Sequence, residues 1–270
     1  MMSAPLHPTP YADVNTVLHD FLARIHLILG ERFRGMYLDG SLALGDFAPH
    51  SSDIDFVVTT DAQLSDGLFL ALRDMHARFD ASGSPWATEV EVVYIPQDAL
   101  RRDNPAPTWV PRIERGGTLV KEHLDGSWII HWYILREHGV VVAGPDPRPL
   151  IDPVEPQDLR RAMAALAESW LEPARHDRLR LQHRGAQIYT VRTLCRMLYT
   201  LDSGAVVSKP VAVRWAQETL GVCWTALIER ALAWRKDPRC QEMPSDEEIS
   251  DTLTLIEYTL ERCRQEYPML

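Results

Sequence analysis

Apolar residues recur at three- and four-residue spacing through Val14, Val17, Leu18, Phe21, Leu22, Ile25 and Ile28, which predicts an opening amphipathic helix. The pattern then shortens. A strand is expected over 35–38, a turn at Gly40-Ser41, and a β-rich run over 54–59. Helical spacing returns over 68–78 and an alternating strand over 89–95. A second helical stretch, 128–138, can stop at Gly139, and 140–143 reads as a buried strand closed by Gly144-Pro145.

From Pro145 to Pro156 five of twelve residues are proline, a density that disfavours regular structure and reads as a linker. Beyond it every periodic segment is helical, over 157–171, 185–201, 209–220, 224–235 and 246–266. The expected class is α+β: a mixed-sheet domain with helices over 1–153, then an all-α helical bundle over 154–270. An apolar fraction of 46% is ample for cores of this size. The opening ten residues lack a basic segment followed by an apolar one, and no uncharged run reaches eighteen residues, so a cytoplasmic chain without membrane spans is expected.

The net charge of -10 argues against binding nucleic acid, which needs clustered Lys and Arg to displace counterions, and favours a cationic partner. Cys195, Cys223, Cys240 and Cys263 form no C-x-x-C pair, so they suggest neither zinc nor a disulfide framework. His123, His131 and His138 have no metal-ligand spacing and no evident partner.

The densest chemistry lies between Gly40 and Asp55. Asp53 and Asp55 open a strand at alternate positions, so both carboxylates project to one side while Ile54 points the other way. Paired oxygen anions suit Mg2+, which keeps its other positions for water and phosphate. A D-x-D alone is more often a polar turn, but Gly40-Ser41 stands upstream at the end of a strand. Glycine lets backbone approach a phosphate, and a Ser hydroxyl with neighbouring N–H groups can hold its oxygens. A third carboxylate on an adjacent strand would complete a metal site and accept a proton, and Glu89 and Glu91 both qualify from spacing.

Gly-Ser, eleven intervening residues and Asp-x-Asp before an apolar strand resemble the signature of the DNA polymerase β-like nucleotidyltransferases. The run from Glu91 to Leu100 is similar to the stretch that follows the catalytic Glu of the aminoglycoside (3'')(9) adenylyltransferases, and the segment from Tyr189 to Ala216 resembles their long C-terminal motif. The resemblance implies a nucleotidyltransferase domain followed by a helical domain, with the site between them. It implies ATP and Mg2+, with Asp53, Asp55 and Glu91 as catalytic metal ligands and Glu91 as base. Gly40, Ser41, Arg196 and Lys209 would bind the triphosphate. The acceptor implied is an aminoglycoside-type antibiotic, spectinomycin or streptomycin, taken by a monomer. Ala186 stands where streptomycin-modifying relatives carry an acidic residue.

Physically, Ile188, Val191, Leu194, Leu198 and Leu201 form one stripe of their helix, Gly204 can end it, and Ser208 can cap the next, which starts at Lys209. Trp170, Glu172 and Asp177 are available for a cationic sugar. A different small-molecule or protein hydroxyl, or a nucleotide-binding regulator without catalysis, are the alternatives.

Overall fold

The computed structural model describes residues 7–49, 51–101, 109–235 and 243–267; positions 1–6, His50 and Cys240 of the sequence reading lie outside them. The chain divides into two compact units, Met1–Pro153 and Val154–Leu270. No helix among the described residues is long and apolar enough to cross a membrane.

Unit 1 is a six-stranded sheet built from β1 (Phe33–Leu38), β2 (Ile54–Thr60), β3 (Val90–Pro96), β4 (Trp109–Ile113), β5 (Val120–His123) and β6 (Val140–Ala143). Its spatial order is β5-β4-β3-β2-β1-β6. Only β2 and β3 run parallel; the other neighbours are antiparallel. The crossover between the parallel pair is the helix of Asp66–Asp80, as a parallel connection requires. In chain order the helices of this unit are α1 (Ala12–Leu29), the single turn α2 (Gly40–Ala43), α3 (Asp66–Asp80) and α4 (Ile129–His138).

One sheet face buries Met36, Leu38, Ile54, Phe56, Val58, Val92 and Tyr94 against α1 and α3. The helix stripe read from the sequence supplies Val14, Val17, Leu18, Phe21 and Ile25 to this core, with Leu22 and Ile28 partly buried at its edge. The opposite face carries Tyr37, Val57, Val93, Ile95 and Val110 against Trp128 and Leu135. Alternation along the strands therefore sends Tyr37, Val57, Val93 and Ile95 toward α4.

Strands β4 and β5 escaped the sequence reading. Pro111 sits inside β4, and β5 reads Val-Lys-Glu-His, so neither has an apolar run. The expected turn at Gly40-Ser41 is the first turn of a helix, and Glu89 lies just before β3 rather than in it.

Unit 2 consists of α5 (Pro156–Ala174), α6 (Arg184–Ser203), α7 (Lys209–Thr219), α8 (Val222–Arg235) and α9 (Asp246–Glu266), with 3-10 turns between. Helix α6 is central, packing on α5, α7, α8 and α9. Its stripe of Ile188, Val191, Leu194, Leu198 and Leu201 is buried. Buried Gln187 is satisfied from both sides, donating to Leu181 O at 2.9 Å and accepting from Thr252 Oγ1 at 3.1 Å. Gly204 ends α6 at φ 68°, a left-handed turn that glycine adopts without Cβ strain. The Arg160 guanidinium donates to the carbonyls of Leu201 and Asp202 at 2.9 Å each, satisfying groups the helix leaves open. Ser208 precedes α7 but makes no side-chain cap bond, so its expected capping role is not realised. Reciprocal capping boxes, Glu155 with Asp158 and Ser245 with Glu248, open α5 and α9.

In unit 1 the buried His76 ring on α3 meets Tyr94 Oη at 2.8 Å, and burial pushes the imidazole down to about 4. The unfolded chain, with histidine near 6.5, binds more protons than the fold between those values, so stability falls as pH drops through that window. His76→Gln should flatten this loss, which amounts to at most about 3 kcal/mol by pH 4. Urea melts of both proteins from pH 7.5 to 4 measure it; parallel curves would refute the assignment.

Candidate active site

The site begins with the register of β2 on β3. Parallel pairing sets Asp55 level with Glu91, and both face the α4 side, where Asp53 joins them from the loop just before β2. Carboxylate oxygens of Asp53, Asp55 and Glu91 lie within 4.8 Å of one another, each residue half-buried. Burial raises the Glu91 carboxyl above the ordinary range, and the charge of Asp53 raises it further. The Arg115 N–H donating to Glu91 Oε1 at 3.2 Å and the Arg112 charge oppose those effects only in part. Glu89 is not in the cluster: it pairs with the Arg115 guanidinium and accepts from Thr88 Oγ1 at 3.4 Å. The two glutamates that spacing left equivalent are thus separated by their surroundings.

Gly40 is held against this cluster. Its φ is 55°, and a Cβ there would collide with the Asp55 carboxylate. Asp39 N–H donates to Asp55 O at 3.0 Å, tying the strand ends together. Ser41 Oγ is buried and has no hydrogen-bond partner among the described residues. A buried hydroxyl without a partner is costly unless something else meets it. Three converging carboxylates, a backbone at Gly40 with no Cβ in the way and a buried hydroxyl without a hydrogen bond together fit a hard divalent cation with a phosphate beside it.

Beside the triad the sheet and α4 form a recess of about 30 Å3, open to solvent, lined by Asp39, Asp55, Glu91, Arg112, Trp128 and His131. Four of these, Asp39, Arg112, Trp128 and His131, were not foreseen as site residues. Arg112 on β4 pairs with Glu122 at 2.8 Å and with Glu114 at 3.0 Å, and its guanidinium lies 5.4 Å from the Trp128 ring centroid. His131, expected to lack a partner, bonds through Nδ1 to Asp39 Oδ2 at 2.6 Å. The one signal available was an Asp closing the apolar run Met36-Tyr37-Leu38, directly ahead of Gly40.

The remaining candidates belong to unit 2. Arg196 is half-buried on α6, and Lys209 opens α7 with Nζ 4.4 Å from the Tyr189 ring centroid, a cation–π contact. Trp170 is partly exposed on α5, edge-on to Tyr189 with ring centroids 6.2 Å apart. Glu172 is engaged by Arg264 at 2.7 Å and Arg175 at 3.2 Å, and exposed Asp177 accepts from Arg180 N–H at 3.2 Å.

Residues 149–267 match the family described as aminoglycoside adenylyltransferase, C-terminal domain. Over 231 residues the chain is 29% identical to an aminoglycoside (3'')(9) adenylyltransferase of Shigella flexneri, covering 82% of this chain and 84% of that protein. The chain is thus similar to aminoglycoside adenylyltransferases over most of its length. An Escherichia coli relative of the same description is equally similar. The fold is shared with a crystal structure of a spectinomycin adenyltransferase of Enterococcus faecalis, determined with ATP and spectinomycin. It aligns with a TM-score of 0.69 at 19% identity, covering 92% of this chain and 99% of that one.

Neutralising one member of the triad relieves charge repulsion in the metal-free protein. In a chelator at pH 7, Glu91→Gln should melt a few degrees above wild type, because the fold disfavours ionised Glu91. As pH falls through the raised Glu91 value, wild type protonates and the difference closes. Added Mg2+ should stabilise wild type more than Asp53→Asn. Thermal melts with and without Mg2+ check both, and equal Mg2+ shifts would remove Asp53 from the metal site.

Proposed function

We propose that this chain transfers AMP from ATP to a hydroxyl of an aminoglycoside-type antibiotic, releasing pyrophosphate in a Mg2+-dependent reaction. The observation that carries the reading is the convergence of Asp53, Asp55 and Glu91 beside the tightly held Gly40-Ser41 turn. Similarity to proteins described as adenylyltransferases supports the reaction class.

Asp53, Asp55 and Glu91 would hold Mg2+, which supplies neutralisation of the charge that develops around the α-phosphate. Gly40 admits the phosphate close to backbone, and Ser41 Oγ donates to one of its oxygens. Glu91 takes the proton from the acceptor hydroxyl as that oxygen attacks in line, the P–O bond forms, and pyrophosphate departs with the electrons of the broken bond. Arg196 and Lys209 are assigned to the triphosphate, on the similarity of the segment from Tyr189 to Ala216 to the family motif.

The net charge of -10 suits a cationic acceptor. Spectinomycin is preferred to streptomycin, because Ala186 replaces an acidic residue of streptomycin-modifying relatives. Glu172, already paired with two arginines, is a poorer acceptor ligand than exposed Asp177. A monomer working in the cytoplasm, where ATP and Mg2+ are plentiful, completes the proposal.

Purified protein with ATP and Mg2+ should release pyrophosphate when spectinomycin is added, and not in its absence. Glu91→Gln should lower kcat by roughly a hundredfold or more, whereas Glu89→Gln stays within a few-fold of wild type. Lys209→Ala should raise KM for ATP. Full activity in Glu91→Gln, or silence across spectinomycin, streptomycin and other aminoglycosides, would overturn the reading.

A further inference from the structure

The Asp39–His131 pair has the build of an oriented imidazole rather than of a surface ion pair. Asp39 closes β1 with its side chain only 7% exposed, while His131 on α4 remains 41% exposed. An ionised carboxylate can only accept, so the 2.6 Å contact places a proton on His131 Nδ1. That leaves Nε2 as the outward nitrogen, with an acceptor lone pair in the neutral ring. The second Asp39 oxygen, Oδ1, is buried with no hydrogen-bond partner among the described residues. Its carboxylate therefore has few competitors for the imidazole, and the ring is held in one tautomer and one orientation.

The ring is also braced from the side. Trp128, 6% exposed, lies between two cationic-capable groups: the Arg112 guanidinium 5.4 Å from its ring centroid and the His131 ring with centroids 4.8 Å apart. Arg112 is in turn fixed by Glu122 and Glu114. A half-exposed imidazole immobilised on two sides lines the same recess as Asp55 and Glu91. With about 30 Å3 of enclosed space the recess is far smaller than ligand pockets of roughly 300–1,000 Å3, and suits one functional group rather than a whole antibiotic.

We propose that His131, oriented by Asp39, contacts the acceptor: Nε2 takes a hydrogen bond from a hydroxyl or ammonium group that the acceptor places in this recess, beside the triad. The inference rests on the adenylyl-transfer reading above. His131 is a specificity-determining contact, and Asp39 is its positioning residue.

Steady-state kinetics of wild type, His131→Gln, Asp39→Asn and the double variant test this, with ATP and spectinomycin varied separately. Both single variants should raise KM for the acceptor about tenfold and leave KM for ATP within twofold. Asp39→Asn keeps the shape of the pair but lets the amide favour the other histidine tautomer. The double variant should be no worse than His131→Gln alone, because the two residues act as one unit. His131 is exposed enough for His131→Gln to fold even where Asp39→Asn does not, and thermal melts identify any variant to set aside. Unchanged acceptor KM in His131→Gln, additive effects, or a rise confined to KM for ATP would overturn the proposal while wild-type turnover left adenylyl transfer standing. Absence of wild-type turnover with every acceptor would instead remove the reading on which it rests, and this inference with it.

Discussion

The arrangement of unit 1 turns on the repulsion among three carboxylates that the sheet forces together. Like charges at the 4.8 Å limit of the triad oppose each other by on the order of 3–4 kcal/mol per pair at an effective dielectric near 20. No side-chain torsion can relieve this fully, because parallel pairing keeps Asp55 level with Glu91 and Ile54 is locked in the core at 0% exposure. Apolar packing on the α1 and α3 face thus sustains an unfavourable electrostatic arrangement on the other. Such stored cost is what the proposed Mg2+ would release on binding, a contribution from the scaffold rather than from the loop alone.

The sheet order explains why a site forms at this place. The parallel pair β2 and β3 sits inside an otherwise antiparallel sheet, and its strands start side by side at Ile54 and Val90. Asp39 N–H bonds to Asp55 O, which brings the end of β1 and the Gly40 turn to the same point. Gly40 is fitted so closely to the Asp55 carboxylate that the position has no room for a side chain.

Much of this was legible in the sequence where the signal is local. The D-x-D alternation at Asp53 and Asp55, the Gly-Ser step at Gly40 and the stripe of α6 each follow from period and residue type. Helices α5 to α9 were readable for the same reason, though Pro173, which has no N–H for the helix ladder, obscured the end of α5. What failed to show was long-range. Strands β4 and β5 carry Pro111 and a run of polar residues, so only their pairing defines them. Asp39 and His131 are 92 positions apart, and nothing local tells that the end of β1 will meet α4. Glu89 and Glu91 differ only in what the folded chain puts next to them: an arginine for one, two aspartates for the other.

The packing of α9 on α5 bears on the order in which the molecule can be made. Tyr267 Oη reaches Gln157 Oε1 at 3.3 Å, and Arg264 bridges to Glu168 and Glu172, so the first and last helices of unit 2 close on each other. During synthesis the sheet of unit 1 has all of its strands once Ala143 has left the ribosome, whereas α5 meets α6 first and is fully covered only when α9 has been made. A ribosome-bound chain therefore passes through an interval in which the mixed sheet is complete and the apolar side of α5 is still partly bare. In that interval the nascent bundle, not the sheet, is the part with apolar surface still in water.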